Sequence, residues 1–149
     1  MSMYPLSPVI GVGAVVWMGD AVLLVRRANP PRQNCWTLPG GKQRLGETVF
    51  EAVAREIAEE TAINIRILDI AAVVDLIDRD DDTIRYHYTV IDVVAEWAGG
   101  EAVAGDDAAE VAWALPDQYG DYQLTDAVLQ VIDAASEKRH RLGRGLPAS

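Results

Sequence analysis

Residues 39–63 constrain the fold more than any other stretch of the chain. Pro39-Gly40-Gly41 predicts a stop to regular structure, and Thr48 with Glu51 three residues on has the form of a helix-opening capping box. Phe50, Val53, Ala54 and Ile57 then recur at helical spacing and predict one apolar stripe laid against a core. The opposite side carries Arg55, Glu56, Glu59 and Glu60. Glu56 stands one helical turn from both Glu59 and Glu60, so three carboxylates share a face.

Taken alone, Glu-x-x-Glu-Glu reads as a solvated helix face stabilised by ion pairs one turn apart. Joined to Gly41, Glu47 and the apolar stripe, the same face invites a hard divalent cation. Oxygen-only ligands suit Mg²⁺ or Mn²⁺ rather than zinc. Such an ion neutralises phosphate charge and acidifies the water it holds. Gly40-Gly41 reads as a bend that lets backbone approach a pyrophosphate where a side chain would intrude. Arg55, one turn from Glu51 and Glu59, is placed to pin a carboxylate in its ligating rotamer.

Around this segment the periodicity is mostly that of strands. Val9–Trp17 is a nearly continuous apolar run, expected to be buried on both faces, and Ala21–Arg27 follows it across the turn dipeptide Gly19-Asp20 as a hairpin. Asn29-Pro30-Pro31 opens a loop, and Trp36–Leu38 is a short extended piece. Ile63–Asp78 and Thr83–Glu96, joined by the acidic turn Arg79–Asp82, predict a second hairpin. A loop at Ala98–Asp107 leads to a strand near Val111–Leu115, and a last helix is expected from about Thr125 to Arg139. The pattern predicts a mixed sheet between helices in one domain over 1–149, with its core at about 9–139 and 140–149 as a frayed tail.

Composition narrows the partners. The chain has 149 residues, half of them apolar, enough for a core without disulfides. A net charge of −10 argues against holding DNA or RNA by its backbone, though metal ions can bridge carboxylates to a phosphorylated small molecule. No apolar stretch is long enough to span a bilayer, and no secretory signal is read at Met1–Pro8. The single cysteine, Cys35, suits a reducing cytoplasm.

Gly41, Glu47, Arg55, Glu56, Glu59 and Glu60 together spell G-x5-E-x7-R-E-x2-E-E, with Ile57 and Ile63 at flanking aliphatic positions and Leu38-Pro39-Gly40-Gly41 leading in. This closely resembles the Nudix box. Six such matches would coincide by chance at about one start position in 10⁷. One position departs from the pattern, Ala62 standing where a glycine is usual. The softer resemblances Val25–Pro31, Val73-Val74-Asp75, Tyr86-His87-Tyr88 and Gly99–Asp107 are similar to a bacterial subgroup described as ADP-ribose pyrophosphatases.

The resemblance implies the α/β (α+β) Nudix sandwich and metal-dependent cleavage of a phosphoanhydride bond. ADP-ribose or a related nucleotide sugar is the first expectation, giving AMP and a sugar phosphate. Hydrolysis of (deoxy)nucleoside triphosphates and a non-catalytic sensing module are the alternatives. It implies Glu56, Glu59, Glu60 and Gly41 as metal ligands, and Glu59, Arg55 and Glu110 as catalytic residues. Asp106 and Asp107 compete for the role of Glu110. Arg27, Gly40, Glu47, Tyr86 and Tyr88 are the substrate-binding candidates. Many relatives pair through their strands, which leaves a homodimer as an open expectation.

Overall fold

Val9–Met18 (β1) is central because its side chains are apolar on both faces, so it must be covered on both. In the computed structural model, which describes residues 3–30 and 32–145, β1 runs parallel to Thr83–Gly99 (β6) and antiparallel to Ala21–Arg27 (β2). β2 bonds Trp36–Thr37 (β3) and Ala108–Ala114 (β7), and Asn64–Asp80 (β5) forms the far edge beyond β6. The β5–β6 hairpin is expected from the sequence, but both strands run longer, and four register shifts break its ladder. Pro31 of the β2–β3 loop lies outside the described residues.

Two helices sandwich this mixed sheet. Val49–Thr61 (α1) buries Ala52, Val53 and Ile57 against Val12, Ala14, Val16, Leu23, Val93 and Ala95. Asp126–Gly145 (α2) covers the other face, where Val131, Ile132 and Ala135 meet Val15, Trp17, Leu24 and Val94. Arg139 ties α2 down, donating to Glu96 at 2.7 Å and to the Gly19 carbonyl at 2.9 Å, with its guanidinium 4.8 Å from the Trp17 ring centre. Helix α2 continues past Arg139 to Gly145, so the tail expected from 140 is helical that far; residues 146–149 lie outside the described set.

Three sequence expectations change. Phe50 is 42% exposed and Ala54 is also exposed, so the inward stripe of α1 is Val49, Ala52, Val53 and Ile57. Both stripes contain Val53 and Ile57, and contact with the sheet selects between them. Gly40–Lys42, expected to be a break, is a strand (β4) antiparallel to Gly11–Gly13. It extends the β1 ladder where β2, paired only at Trp17 and Met18, has left it. Finally, β7 begins at Ala108, which puts Glu110 inside a strand rather than before one.

The ends of α1 follow from local chemistry. Thr48 accepts from Glu51 N at 3.1 Å while the Glu51 carboxylate accepts from Thr48 N at 3.0 Å, the reciprocal box expected. At the other end Ala62 takes a left-handed conformation, φ 65°, and returns its N–H to Ala58 O. The departure from glycine therefore keeps the turn and carries the strain of a Cβ in that region, about 1 kcal/mol.

Candidate functional site

Arg55 organises the acidic face. Its Nε and Nη2 grip Glu47 at 2.6 and 2.9 Å, Nη1 donates to Glu56 at 2.7 Å and Glu59 at 3.3 Å, and Nη2 also reaches Lys42 O at 2.9 Å. All five guanidinium donors are thus committed. The grip on Glu47, aided by Arg44 N at 2.8 Å, holds that carboxyl down at about 2. In return the carboxylates raise the affinity of Arg55 for its proton. The loop Lys42–Glu47 is therefore stapled to the second and third turns of α1.

Packing gives the glycines of β4 a reason of its own. A Cβ at Gly40 would strike the Val12 carbonyl of β1, and one at Gly41 would strike the Glu56 carboxylate. Neither glycine has a positive φ. The space freed at Gly41 is occupied by Glu56 itself, which brings that carboxylate against the backbone of β4.

Glu60 is a largely buried carboxylate of the helix. Burial pushes it up to about 7, Glu56 and Asp107 push the same way, and the charge of Arg27 and a 3.4 Å contact from Gly40 N oppose them. Glu59 is more open, shared between Arg55 and Arg44, the latter at 3.8 Å. Among the described residues no three acidic, histidine or cysteine side chains are already gathered as a ligand set, since Arg55 draws Glu56 and Glu59 to itself. The chemistry nevertheless fits a hard divalent cation. The donors are all oxygen, Gly41 leaves room for one of them, and Glu60 is buried with too little positive charge around it.

The loop after β6 reaches this face from the side. Gly105 N and Val103 N donate to Glu60 O and Thr61 O at 2.8 and 2.9 Å, satisfying carbonyls at the end of α1. A Cβ at Gly105 would strike Glu59 O. Asp107, left-handed at φ 61°, accepts from Ala28 N through its carbonyl at 3.1 Å and from Asn29 Nδ2 through its carboxylate at 3.0 Å. These bonds bring Arg27, at the end of β2, and Asp107 within electrostatic reach of Glu60. Local sequence marks Asn29 only as part of a loop opening, because its partner is 78 residues away.

Other candidates lie apart from this cluster. Glu110 pairs with Arg26 at 3.5 Å, is 58% exposed, and stands in register with a residue of the sheet face away from α1. Asp107, rather than Glu110, is the loop acid whose charge acts on Glu60. Tyr86 sits near the tip of the β5–β6 hairpin, opposite Asp78 and 5.8 Å from the Arg85 guanidinium. Tyr88, on the same strand face, is buried, and among the described residues its hydroxyl has no hydrogen-bond partner.

The profile described as NUDIX domain matches residues 7–134. A protein named ADP-ribose pyrophosphatase from Methanocaldococcus jannaschii is 40% identical over 105 residues, 70% of this chain and 60% of its own length. The match thus spans less than two thirds of that relative. One named putative 8-oxo-dGTP diphosphatase 2 from Mycobacterium tuberculosis is 37% identical over 105 residues, 70% of this chain and 71% of that one. Among solved structures, the NUDIX domain of Shewanella oneidensis NrtR complexed with ADP ribose is similar at a TM-score of 0.71 and 25% identity, over 89% of this chain and 88% of that one.

Proposed function

The chain belongs to the Nudix hydrolase family, and on that premise we propose that it hydrolyses ADP-ribose to AMP and ribose 5-phosphate. The observation that carries the reading is the acidic face itself, where Arg55 spends four of its five donors on holding Glu47, Glu56 and Glu59 around a glycine strand and the fifth on the Lys42 carbonyl. Members of the family depend on a divalent metal, and Mg²⁺ or Mn²⁺ suits this oxygen donor set. Glu56, Glu60, Glu59 and the Gly41 carbonyl are the groups that would hold it. The ion, when bound, screens the phosphate charge and acidifies water beside it.

The residues of the chain do the rest. Arg55 keeps Glu56 and Glu59 in fixed rotamers, and Glu47 fixes Arg55. Arg27, near Glu60, supplies positive charge for a phosphate oxygen. Glu59, the most open of the three helix glutamates, is the one placed to take a proton from attacking water. Water adds to a phosphorus of the bridging diphosphate, the anhydride P–O bond breaks, and one phosphate leaves with each half. Incubation with ADP-ribose and Mg²⁺, followed by chromatography of AMP and ribose 5-phosphate, tests this; an inert mixture refutes it. The similarity to the putative 8-oxo-dGTP diphosphatase favours a second reading, which predicts pyrophosphate release from a nucleoside triphosphate instead.

No helix among the described residues is long and apolar enough to cross a membrane. The exposed, unbridged Cys35 supports a place in the reducing cytoplasm. For assembly we favour a homodimer through the free edge of β5, where Ile70, Val73, Leu76 and Ile77 are exposed. Sedimentation of the wild type against Val73→Lys decides this.

A further inference from the structure

Asn29 stands in the loop after β2, and its amide donates to the Asp107 carboxylate at 3.0 Å across 78 residues of sequence. An aspartate in a left-handed turn position, φ 61° here, ordinarily bends its carboxylate back onto its own backbone. Asp107 instead reaches a different loop, and the Ala28 N–H adds a second tie, donating to its carbonyl at 3.1 Å. Two consecutive residues thus fix one aspartate. Both Asn29 and Asp107 are exposed, and an exposed bond of this kind adds little to stability. Its use lies in where it puts the charge.

The turn that carries Asp107 is seated directly on the acidic helix. Gly105 N donates to Glu60 O at 2.8 Å, and Ala108 N closes the turn on Gly105 O at 3.3 Å, with Asp107 between them. A Cβ at Gly105 would strike Glu59 O, so the seat needs a glycine. The charge of Asp107 accordingly acts on Glu60, and that of Arg27 opposes it. Asn29 has a fixed base of its own. Arg27 pairs with Ala108 at a register shift in the β2–β7 ladder, and its backbone closes the following loop on Cys35 O at 2.9 Å and Asn34 N at 2.8 Å. An amide suits the task, because it holds a carboxylate and leaves the negative charge intact, where lysine or arginine would cancel it.

We propose that Asn29 is a positioning residue of the cation site, holding the Asp107 carboxylate at the Glu60 end of the acidic face so that its charge helps to draw a divalent cation. In this role Asn29 touches neither metal nor substrate and acts through Asp107 alone. The inference rests on the metal-dependent reading of the acidic face and not on ADP-ribose as the substrate. Released from the amide, Asp107 turns into solvent, where water screens its charge.

The test is titration of the EDTA-stripped protein with Mn²⁺ alone, the free ion being read by electron paramagnetic resonance. No nucleotide takes part, so the result does not depend on which substrate is hydrolysed. Asn29→Ala and Asp107→Asn, the latter at ease in a left-handed turn, should each raise the Mn²⁺ Kd about fivefold or more. Thermal midpoints of the metal-free variants should stay close to wild type. The double variant should bind no more weakly than Asp107→Asn, because the amide then has no charge left to place. Asn29→Asp, nearly isosteric but without the donor, should also weaken Mn²⁺ although it adds a negative charge. A wild-type Kd in Asn29→Ala, losses that add in the double variant, or tighter binding in Asn29→Asp would each overturn the proposal. The expected Kd changes without any ADP-ribose turnover would uphold the role of Asn29 and refute the ADP-ribose reading.

Discussion

Replacing Ile57 with alanine, beside the control Phe50→Ala, tests which face of α1 meets the sheet. Ile57 is fully buried among Val12, Leu23, Val53, Ile63 and Val93. Truncating it removes three carbons from a packed site whose strands cannot collapse into the gap, at about 2–5 kcal/mol. For a chain of this length each kcal/mol moves the thermal midpoint by about 2–4 °C, so a drop of about 10 °C is expected. Phe50 is 42% exposed and loses only part of its contacts, while alanine returns about 0.5 kcal/mol of helix propensity. The net effect should stay under about 1 kcal/mol. Thermal unfolding followed by circular dichroism reads both. Equal losses in the two variants would mean that the helix is rotated, and the placement of Glu56 against Gly41 would fall with it.

Other expectations concern the site. Arg55→Lys, which cannot reproduce the paired grip on Glu47, should lower kcat by about 10²-fold with a small change in thermal midpoint; wild-type kinetics in this variant would refute its organising role. EDTA should abolish turnover and Mg²⁺ or Mn²⁺ restore it, and Glu56→Gln and Glu60→Gln should each lower kcat by about 10²–10⁴-fold at saturating metal. Asp92, buried in β6, binds its proton at about 6 when folded against an ordinary 3.8, so the folded state holds the proton more tightly. Its favourable contribution is complete below the unfolded value and is lost as pH rises through 6, on the order of 3 kcal/mol at most. The stability gained in Asp92→Asn should therefore grow between pH 4 and 7 in urea titrations, and a flat difference would contradict the burial. Ala62→Gly should stabilise the chain by up to about 1 kcal/mol, seen as a higher urea midpoint, because φ there is 65°.

Features legible in the sequence were those set by neighbours one turn or two residues apart. The Thr48–Glu51 box, the grouping of Arg55 with the glutamates and the apolar run of β1 all follow from local spacing. Helix phase was ambiguous, because Val53 and Ile57 belong to two overlapping stripes and only the sheet chooses between Val49 and Phe50. β4 escaped notice because glycines have weak strand preference and its partner lies 29 residues upstream, as Val12 opposite Gly41. Asn29 and Asp107 meet only through tertiary structure, and so do Asp92 and Gly13. A charge inside the apolar run Val90–Val94 was nonetheless a visible signal.

The parallel pairing of β1 with β6 sets a timetable for synthesis. Val9 must wait for Tyr88, and Trp17 for Glu96, roughly 80 residues later. At translation speeds of about 5–20 residues per second, β1 spends about 4–16 s without its longest neighbour. During that interval Val12 and Ala14–Trp17, among the most deeply buried side chains of the finished protein, have β2, β4 and α1 to cover them but neither β6 nor α2. The β5–β6 hairpin, joined by its own turn, can zip as it emerges and then offer β1 a ready edge. Nascent chains halted before residue 88 should consequently recruit holdase chaperones, whereas chains extended past residue 99 should not.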